Sequence, residues 1–241
     1  MMRKERFGVV PPAKLYALAV FGVCLSLCAI VGVPLVRQLQ RDASNLNSRG
    51  RLCQLVLAMR NYESDFGSLP PACVYDKQGR PMHSWRVLLL PYLELQTIYE
   101  QYEFDSSWNS DANAALAASL RDGAPMFFRS PKNSNGPTTS TDYVMVLDSH
   151  ESSRVSDRVL LIEMSNSETH WMEPRDIPVD RFLSEWRALG PSGDTLNFVT
   201  TDGIAGSCDA SSVRSIGSPA TLGHLLGSEP NAEGFIPSEE Q

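Results

Sequence analysis

Apolar and polar positions fall into three regimes: an unbroken apolar run near the N-terminus, a stretch with helical spacing, and later short runs of strand length. The first regime lies between Lys14 and Arg37, where 22 residues from Leu15 to Val36 carry no formal charge. At about 1.5 Å per residue it matches the roughly 30 Å hydrocarbon core of a bilayer, and it reads as a transmembrane helix over 15–36. Two alternatives compete with that reading. A buried core helix of this length would show a polar face. A cleaved secretory signal would have a shorter apolar core and a small-x-small site, whereas this run ends Val33-Pro34-Leu35-Val36-Arg37. Pro34 predicts a kink or loosening at the end of the span.

Past the span, Leu52, Leu55, Val56, Met59, Tyr62 and Phe66 recur at steps that describe one helical stripe. The pattern predicts a stalk helix over Arg37 to Phe66, weakened near Gly50 and stopped near Gly67 by Leu69-Pro70-Pro71. His83 to Glu94, followed by Ile98, Tyr99 and Tyr102, predicts two short helices broken at Pro91. A third spans Ala112 to Leu120, with Ser110 or Asp111 as its cap. Beyond Gly123, Met126-Phe127-Phe128, Tyr143 to Leu147 and Val159 to Glu163 read as strands. Pro178 to Leu189 returns to helical spacing. Leu196 to Thr200 then meets Asp202-Gly203, a hairpin turn signal, with a return strand toward Ser207 or Cys208. Ser218-Pro219 opens a last short helix through Leu226, and the segment from Ser228, with four acids and no base, predicts a disordered tail. The fold class is therefore α+β: a transmembrane helix continuing as a stalk helix packed on an antiparallel β-sheet, with short helices in the connections. Its parts are a tail over 1–14, the span over 15–36, a body over 37–227 and an acidic tail over 228–241.

Charge sharpens this division. Residues 1–36 hold four bases and one acid, and residues 37–241 hold 17 bases and 27 acids. A body at −10 repels a phosphate backbone, so nucleic acid is not an expected partner. Arg3, Lys4, Arg6 and Lys14 before the span are matched by Arg37, Arg41, Arg49 and Arg51 after it, so the positive-inside count is a tie. A short cytoplasmic N-terminal tail with the body outside is the less complicated arrangement. Cys24 and Cys28 sit in the apolar run at i, i+4, where they suit helix packing. Of the remaining Cys53, Cys73 and Cys208, the pairing Cys53 to Cys73 is the first disulfide to test, and no C-x-x-C supports a zinc or redox motif.

Candidate chemistry is sparse. The histidines are His83, His150, His170 and His224, and a set of Ser84, His83 and Asp202 has no nucleophile elbow to support it. No HExxH, phosphate loop or EF-hand pattern occurs, so the chain is expected to be no enzyme and to need no cofactor. Asp148, Glu163, Glu173 and Asp202 near strand ends offer hard oxygen ligands that would suit calcium. They serve equally as turn formers and ion-pair partners, Glu173 with Arg175 or Arg86. Trp85, Trp108, Trp171 and Trp186 could line a sugar or peptide groove or simply fill the core. Trp85, Trp108, Trp171, Glu173 and Arg175 are the candidate ligand or partner surface.

Several segments in order carry a resemblance: Cys53-Gln54 to Asn61-Tyr62, Gly67-Ser68-Leu69-Pro70-Pro71-Ala72, His83-Ser84-Trp85-Arg86 to Tyr92-Leu93-Glu94, and Tyr99 to Asp105. Ile162-Glu163, Trp171-Met172-Glu173-Pro174-Arg175-Asp176 and Phe198 to Gly203 complete the set. From about Arg49 to Leu226 the chain resembles the bacterial pseudopilin-like family labelled domain of unknown function 1559, also called solute-binding protein family 10, abundant in planctomycetes. The resemblance implies a pilin-like fold, a membrane anchor and a link to type II secretion through other envelope or pseudopilin-like proteins. Relatives carry a Gly-Phe-Thr-Leu-Ile-Glu leader where this chain has Gly8-Val9-Val10-Pro11-Pro12-Ala13, and Cys-Pro where it has Ser130-Pro131. The latter replacement removes the partner that the resemblance implies for Cys53. Two functions follow as expectations. One is a non-enzymatic, membrane-anchored protein of the cell envelope acting by protein–protein interaction. The other is an extracytoplasmic module binding a small sugar or peptide.

Overall fold

The computed structural model describes residues 12–121, 123–133, 138–147, 159–164, 167–178, 181, 195–200 and 202–209. The chain divides into two units, 1–43 and 44–241. The expected helices over Pro178 to Leu189 and after Ser218, and the tail from Ser228, lie mostly or wholly outside the described residues.

The first unit is helical from Pro12 onward: α1 (Pro12–Leu27), one π-helical turn (Cys28–Gly32) and the start of α2 (Val33–Phe66). Pro34 brings no break. The wide turn precedes it, with the Val33 N–H bonded five residues back to the Cys28 carbonyl, and this loosened winding accommodates a residue with no N–H to give. Val20, Phe21, Val23, Leu27, Ile30 and Val31 are 57–69% exposed. The helix over Val20–Phe66 is long and apolar enough to cross a membrane, and none of its most apolar stretch is buried by the protein.

In the second unit α2 runs on to Phe66 without interruption at Gly50. It stops where predicted, because Gly67 takes φ +78°, a left-handed conformation open to glycine, and its N–H closes back on the Glu63 carbonyl at 2.7 Å. Ser48, Leu52, Leu55, Val56, Ala58 and Met59 form the buried face of α2. The apolar members join Tyr143, Met145, Leu161 and Val199 of the sheet in one core cluster. Burying each large side chain there contributes roughly 1.5–3 kcal/mol.

A hairpin of β1 (Cys73–Tyr75) and β2 (Pro81–Ser84) follows, and it corrects the expectation of helix from His83. Its turn is fixed by Asp76, whose Oδ1 accepts from the Gln78 and Arg80 N–H groups at 2.9 and 2.8 Å. Then come α3 (Trp85–Leu88), a 3-10 turn (Leu90–Leu93), α4 (Gln96–Gln101) and α5 (Asp111–Ser119). Pro91 sits inside the first turn of the 3-10 segment, where its missing N–H leaves nothing unpaired, rather than at a break. Ser110 caps α5 by accepting from the Asn113 N–H. Met126–Phe128 is a 3-10 turn instead of the expected strand; the Phe128 and Arg129 N–H groups bond back to the Pro125 and Met126 carbonyls at 2.9 and 3.3 Å rather than to a ladder.

The main sheet has the order β5-β3-β4-β6-β7, with β3 (Tyr143–Leu147), β4 (Val159–Glu163), β5 (Ile177–Pro178), β6 (Thr195–Thr200) and β7 (Ala205–Asp209). Four strands pair antiparallel as expected, and β5 adds a short parallel edge to β3. The β6–β7 hairpin turns at Asp202-Gly203, and Gly206 lies so close under the Phe198 ring that a Cβ there would collide with it.

Candidate functional site

Ser84, the last residue of β2, caps α3 and places Trp85 and Arg86 in its first turn, pointing into the body. Arg86 is fully buried and its guanidinium lies 4.4 Å from the Trp85 ring centroid. It donates from Nη1 to Ser84 Oγ at 2.9 Å, from Nη2 and Nε to the Tyr143 carbonyl at 2.8 and 3.3 Å, and from Nη2 to Asp176 Oδ1 at 2.7 Å. Asp176 also accepts from the Met145 N–H and from Trp85 Nε1, both at 2.8 Å. Burial drives the Asp176 carboxyl above its ordinary value, opposed by Arg86 and these two donors. Every group bonded to the carboxylate is a donor and the guanidinium stays protonated, so the pair is ionised. This arrangement is a lock. It ties α3, β3 and the segment before β5 together, and it absorbs the two most distinctive segments of the sequence, His83 to Arg86 and Trp171 to Asp176.

Trp171 belongs to the same core. Its ring stacks on Phe128 at 5.9 Å with 13° between planes, and Phe128 meets Trp85 edge-on at 6.2 Å. Outward, Trp171 stacks on His170 at 6.3 Å and His170 on the half-buried Trp108 at 5.6 Å. Glu173 and Arg175 pair at 3.2 Å beside the outer end of this ladder, where Glu173 also accepts from the His170 N–H. Of the predicted surface, then, Trp108, Glu173 and Arg175 gather around His170, while Trp85 and Trp171 are core residues with no exposed face. A recess of about 30 Å³ beside Arg175 and Asp176 has room for little more than water. Trp186 lies outside the described residues.

The other candidates separate. His83 is held by the Tyr102 hydroxyl and the Phe104 carbonyl, both at 3.0 Å, and burial lowers its pKa. Ser84 serves Arg86, and Asp202 bonds Thr200 Oγ1, so these three make no triad. Asp148, His150 and His224 lie outside the described residues. Among the described residues, no group of three or more His, Cys, Asp or Glu is placed to hold a metal ion. Cys53 and Cys73, the pair singled out as the first disulfide to test, are both free and half-buried in the structure; Cys73 Sγ turns to the Val74 carbonyl, and burial raises both thiol pKa values.

The residues facing Ser130 come from elsewhere than Cys53. On α2 it is Ser48, with the two hydroxyls 3.3 Å apart and both bonded to Oε1 of the buried Glu163 on β4, Ser48 at 2.7 Å. Glu163 Oε2 takes Lys132 Nζ at 2.9 Å and Asn197 Nδ2 at 2.6 Å. Asn197 Oδ1 is buried without a partner. Asp142 stands next to this cluster. It accepts from the Ser130 N–H and Asn133 Nδ2, and burial pushes its carboxyl up to about 6. Sequence reading missed Ser48, Lys132, Asp142 and Asn197. The available signals were a serine on the apolar stripe of α2 and an asparagine amid the apolar run Leu196 to Val199.

Fold and sites together define an α+β domain that follows, in the chain, an apolar helix long enough to cross a membrane, with its distinctive segments committed to internal bonds. The chain belongs to the family described as a protein of unknown function, DUF1559, whose profile matches residues 42–174. That stretch contains both halves of the aromatic ladder, Arg86 and Glu163; Asp176 and the Phe198 to Gly203 turn fall beyond it. Comparison with curated proteins and with solved structures gives no match.

Proposed function

We propose that the protein is a single-pass, membrane-anchored, non-enzymatic component of the cell envelope that acts by protein–protein interaction in the manner of a pseudopilin, in association with type II secretion. In this reading residues 1–14 are cytoplasmic, 15–36 cross the membrane and the body is extracytoplasmic. The carrying observation is the set of apolar side chains Val20, Phe21, Val23, Leu27, Ile30 and Val31, each more than half exposed and none buried by the protein. In water such a surface would be strongly unfavourable, and a bilayer removes it. The absence of chemistry is supported by the fate of the polar motif residues. The side chains of Arg86, Asp176, Ser84 and His83 are all buried and hydrogen-bonded to other groups inside the fold.

The direct test is the intact mass of the protein extracted from membranes of its host. Retention of residues 1–36 in the mature chain is expected; a chain starting near Arg37 overturns the anchor, and one starting at Val9 makes it a processed pseudopilin. A thermal-shift series with sugars, peptides and calcium tests the absence of a small ligand, since a ligand of the native state raises Tm by mass action. A reproducible rise would replace the interaction reading with a solute-binding one.

A further inference from the structure

In the buried cluster at the end of β4, one carboxylate oxygen meets two nitrogens whose parent groups can react with each other. The β4–β6 register pairs Leu161 with Val199 and Ile162 with Phe198, which carries Glu163 opposite Asn197. A turn closed by the Asn133 N–H on the Ser130 carbonyl brings in Lys132. That turn is pinned: the Lys132 N–H donates to Ser130 Oγ at 3.0 Å, and Asp142 accepts from the Ser130 N–H and Asn133 Nδ2. Ser48 and Ser130 both bond Glu163 Oε1, so Oε2 is left to Lys132 Nζ at 2.9 Å and Asn197 Nδ2 at 2.6 Å. A primary amine and a carboxamide thus share one oxygen, in a site where Asn197 is 0% and Glu163 4% exposed. Asn197 is held through its nitrogen, which also reaches Asn45 Oδ1 at 3.4 Å, while its own oxygen is buried with no partner. A bare amide oxygen is unfavourable in a cluster whose only task is to pair polar groups.

We propose that Lys132 and Asn197 join in an isopeptide bond within the folded chain, with Glu163 carrying the protons. Lys132 hands a proton to Glu163 Oε2 along the 2.9 Å bond and becomes a neutral amine, the nucleophilic form of lysine. Its Nζ attacks Asn197 Cγ, and the carbonyl electron pair moves to Oδ1. Glu163 passes its proton to Nδ2 and accepts one from Nζ. The pair on oxygen returns, the Cγ–Nδ2 bond breaks, and ammonia leaves with the electrons of that bond. One amide replaces another, so nothing is oxidised or reduced and no co-reactant is consumed. Glu163 ends with one proton, a hydroxyl donor beside the amide whose oxygen the unreacted fold leaves bare. Holding the three groups together drives the reaction, since well-oriented groups behave as though at effective concentrations of up to about 10⁵–10⁸ M. Ammonia has a short way out, because the Lys132 side chain keeps 10% of its surface. The ion pair is the state before reaction and the amide the state after it; stability changes at Glu163 read the ion pair in chain still at full mass. The bond ties the turn before β3 to β6 and restricts the unfolded chain as any cross-link does. It forms once per molecule and acts on no substrate, so the inference goes beyond the interaction reading and does not rest on it.

The test is mass spectrometry of the full chain in detergent after prolonged incubation. A mass about 17 Da below that of the unlinked chain is expected, the loss of one ammonia, and a tryptic digest should contain a branched peptide joining Lys132 to Asn197. Lys132→Arg and Asn197→Ala should each show the full mass for their sequences. Glu163→Gln, which keeps the shape and cannot carry the proton, should lower the linked fraction at least about tenfold. Circular dichroism matching the parent shows that each variant folds; where one does not, the branched peptide of the parent decides. Lys77→Arg, on the exposed β1–β2 turn, should leave the linkage intact. A parent chain at full mass, a branch at another lysine, or an Asn197 that is deamidated and unlinked overturns the proposal. Undiminished linkage in folded Glu163→Gln does the same.

Discussion

Two buried ion pairs hold the body together, and they are built on different terms. Arg86–Asp176 leaves 0% and 1% of the two side chains exposed, and hydrogen bonds hold both partners through a planar fork, two backbone groups, a hydroxyl and an indole. Lys132–Glu163 is looser. The lysine side chain keeps 10% of its surface, the carboxylate is shared among two serines and an asparagine, and one amide oxygen is left bare. The contrast teaches that a buried charge specifies a structure when its geometry admits one arrangement, and merely tolerates it when the partners are small hydroxyls and a flexible ammonium.

The largest effect that would sharpen this contrast is Arg86→Ala. It strands Asp176 and removes four bonds, and should cost about 3–5 kcal/mol in denaturant unfolding of the full chain. Replacing both partners by apolar residues, Arg86→Met with Asp176→Leu, should cost less than the single change. A loss below about 1 kcal/mol for Arg86→Ala would dissolve the distinction between the pairs.

Next in size is the pH response beside the second pair. Asp142 titrates near 6 when folded against an ordinary 3.8, because burial and Glu163 outweigh Asn133, the Ser130 N–H and Arg129. The folded state therefore holds the proton more tightly. The stabilisation is complete below the ordinary value and is lost as pH rises through about 6, a swing of about 3 kcal/mol. Asp142→Asn should flatten stability over that window relative to the parent, and parallel pH profiles would refute the assignment. The smallest effect is Glu163→Gln. The amide preserves shape and Lys132 is free to turn toward solvent, so a loss of about 1–2 kcal/mol is expected in the same unfolding assay. A loss equal to that of Arg86→Ala would make the two clusters equivalent.

The elements were largely legible because their signals are local. The uncharged run to Val36, the stripe through Met59, the stop at Gly67, the Ser110 cap and the Asp202-Gly203 turn each lie within a few residues of what they control. Reading failed where partners decide. Met126 to Phe128 is as apolar as a strand but has no strand to pair with among the described residues, and His83-Ser84 belongs to a hairpin only because β1 lies beside it. The aromatic candidates were visible as residue types, but nothing local distinguishes Trp85, sealed by Phe128 and Asp176, from the half-buried Trp108.

The sequence by itself thus determined the apolar helix, the α+β class and the order of its parts, since periodicity and chain breakers act over one or two turns. Only the tertiary structure decided that Arg86 meets Asp176 across 90 residues and that Ser48, rather than Cys53, meets Ser130 across 82. Such pairings depend on how strands stack and which helix face turns inward, and those choices are fixed by the burial of the whole core rather than by any one segment.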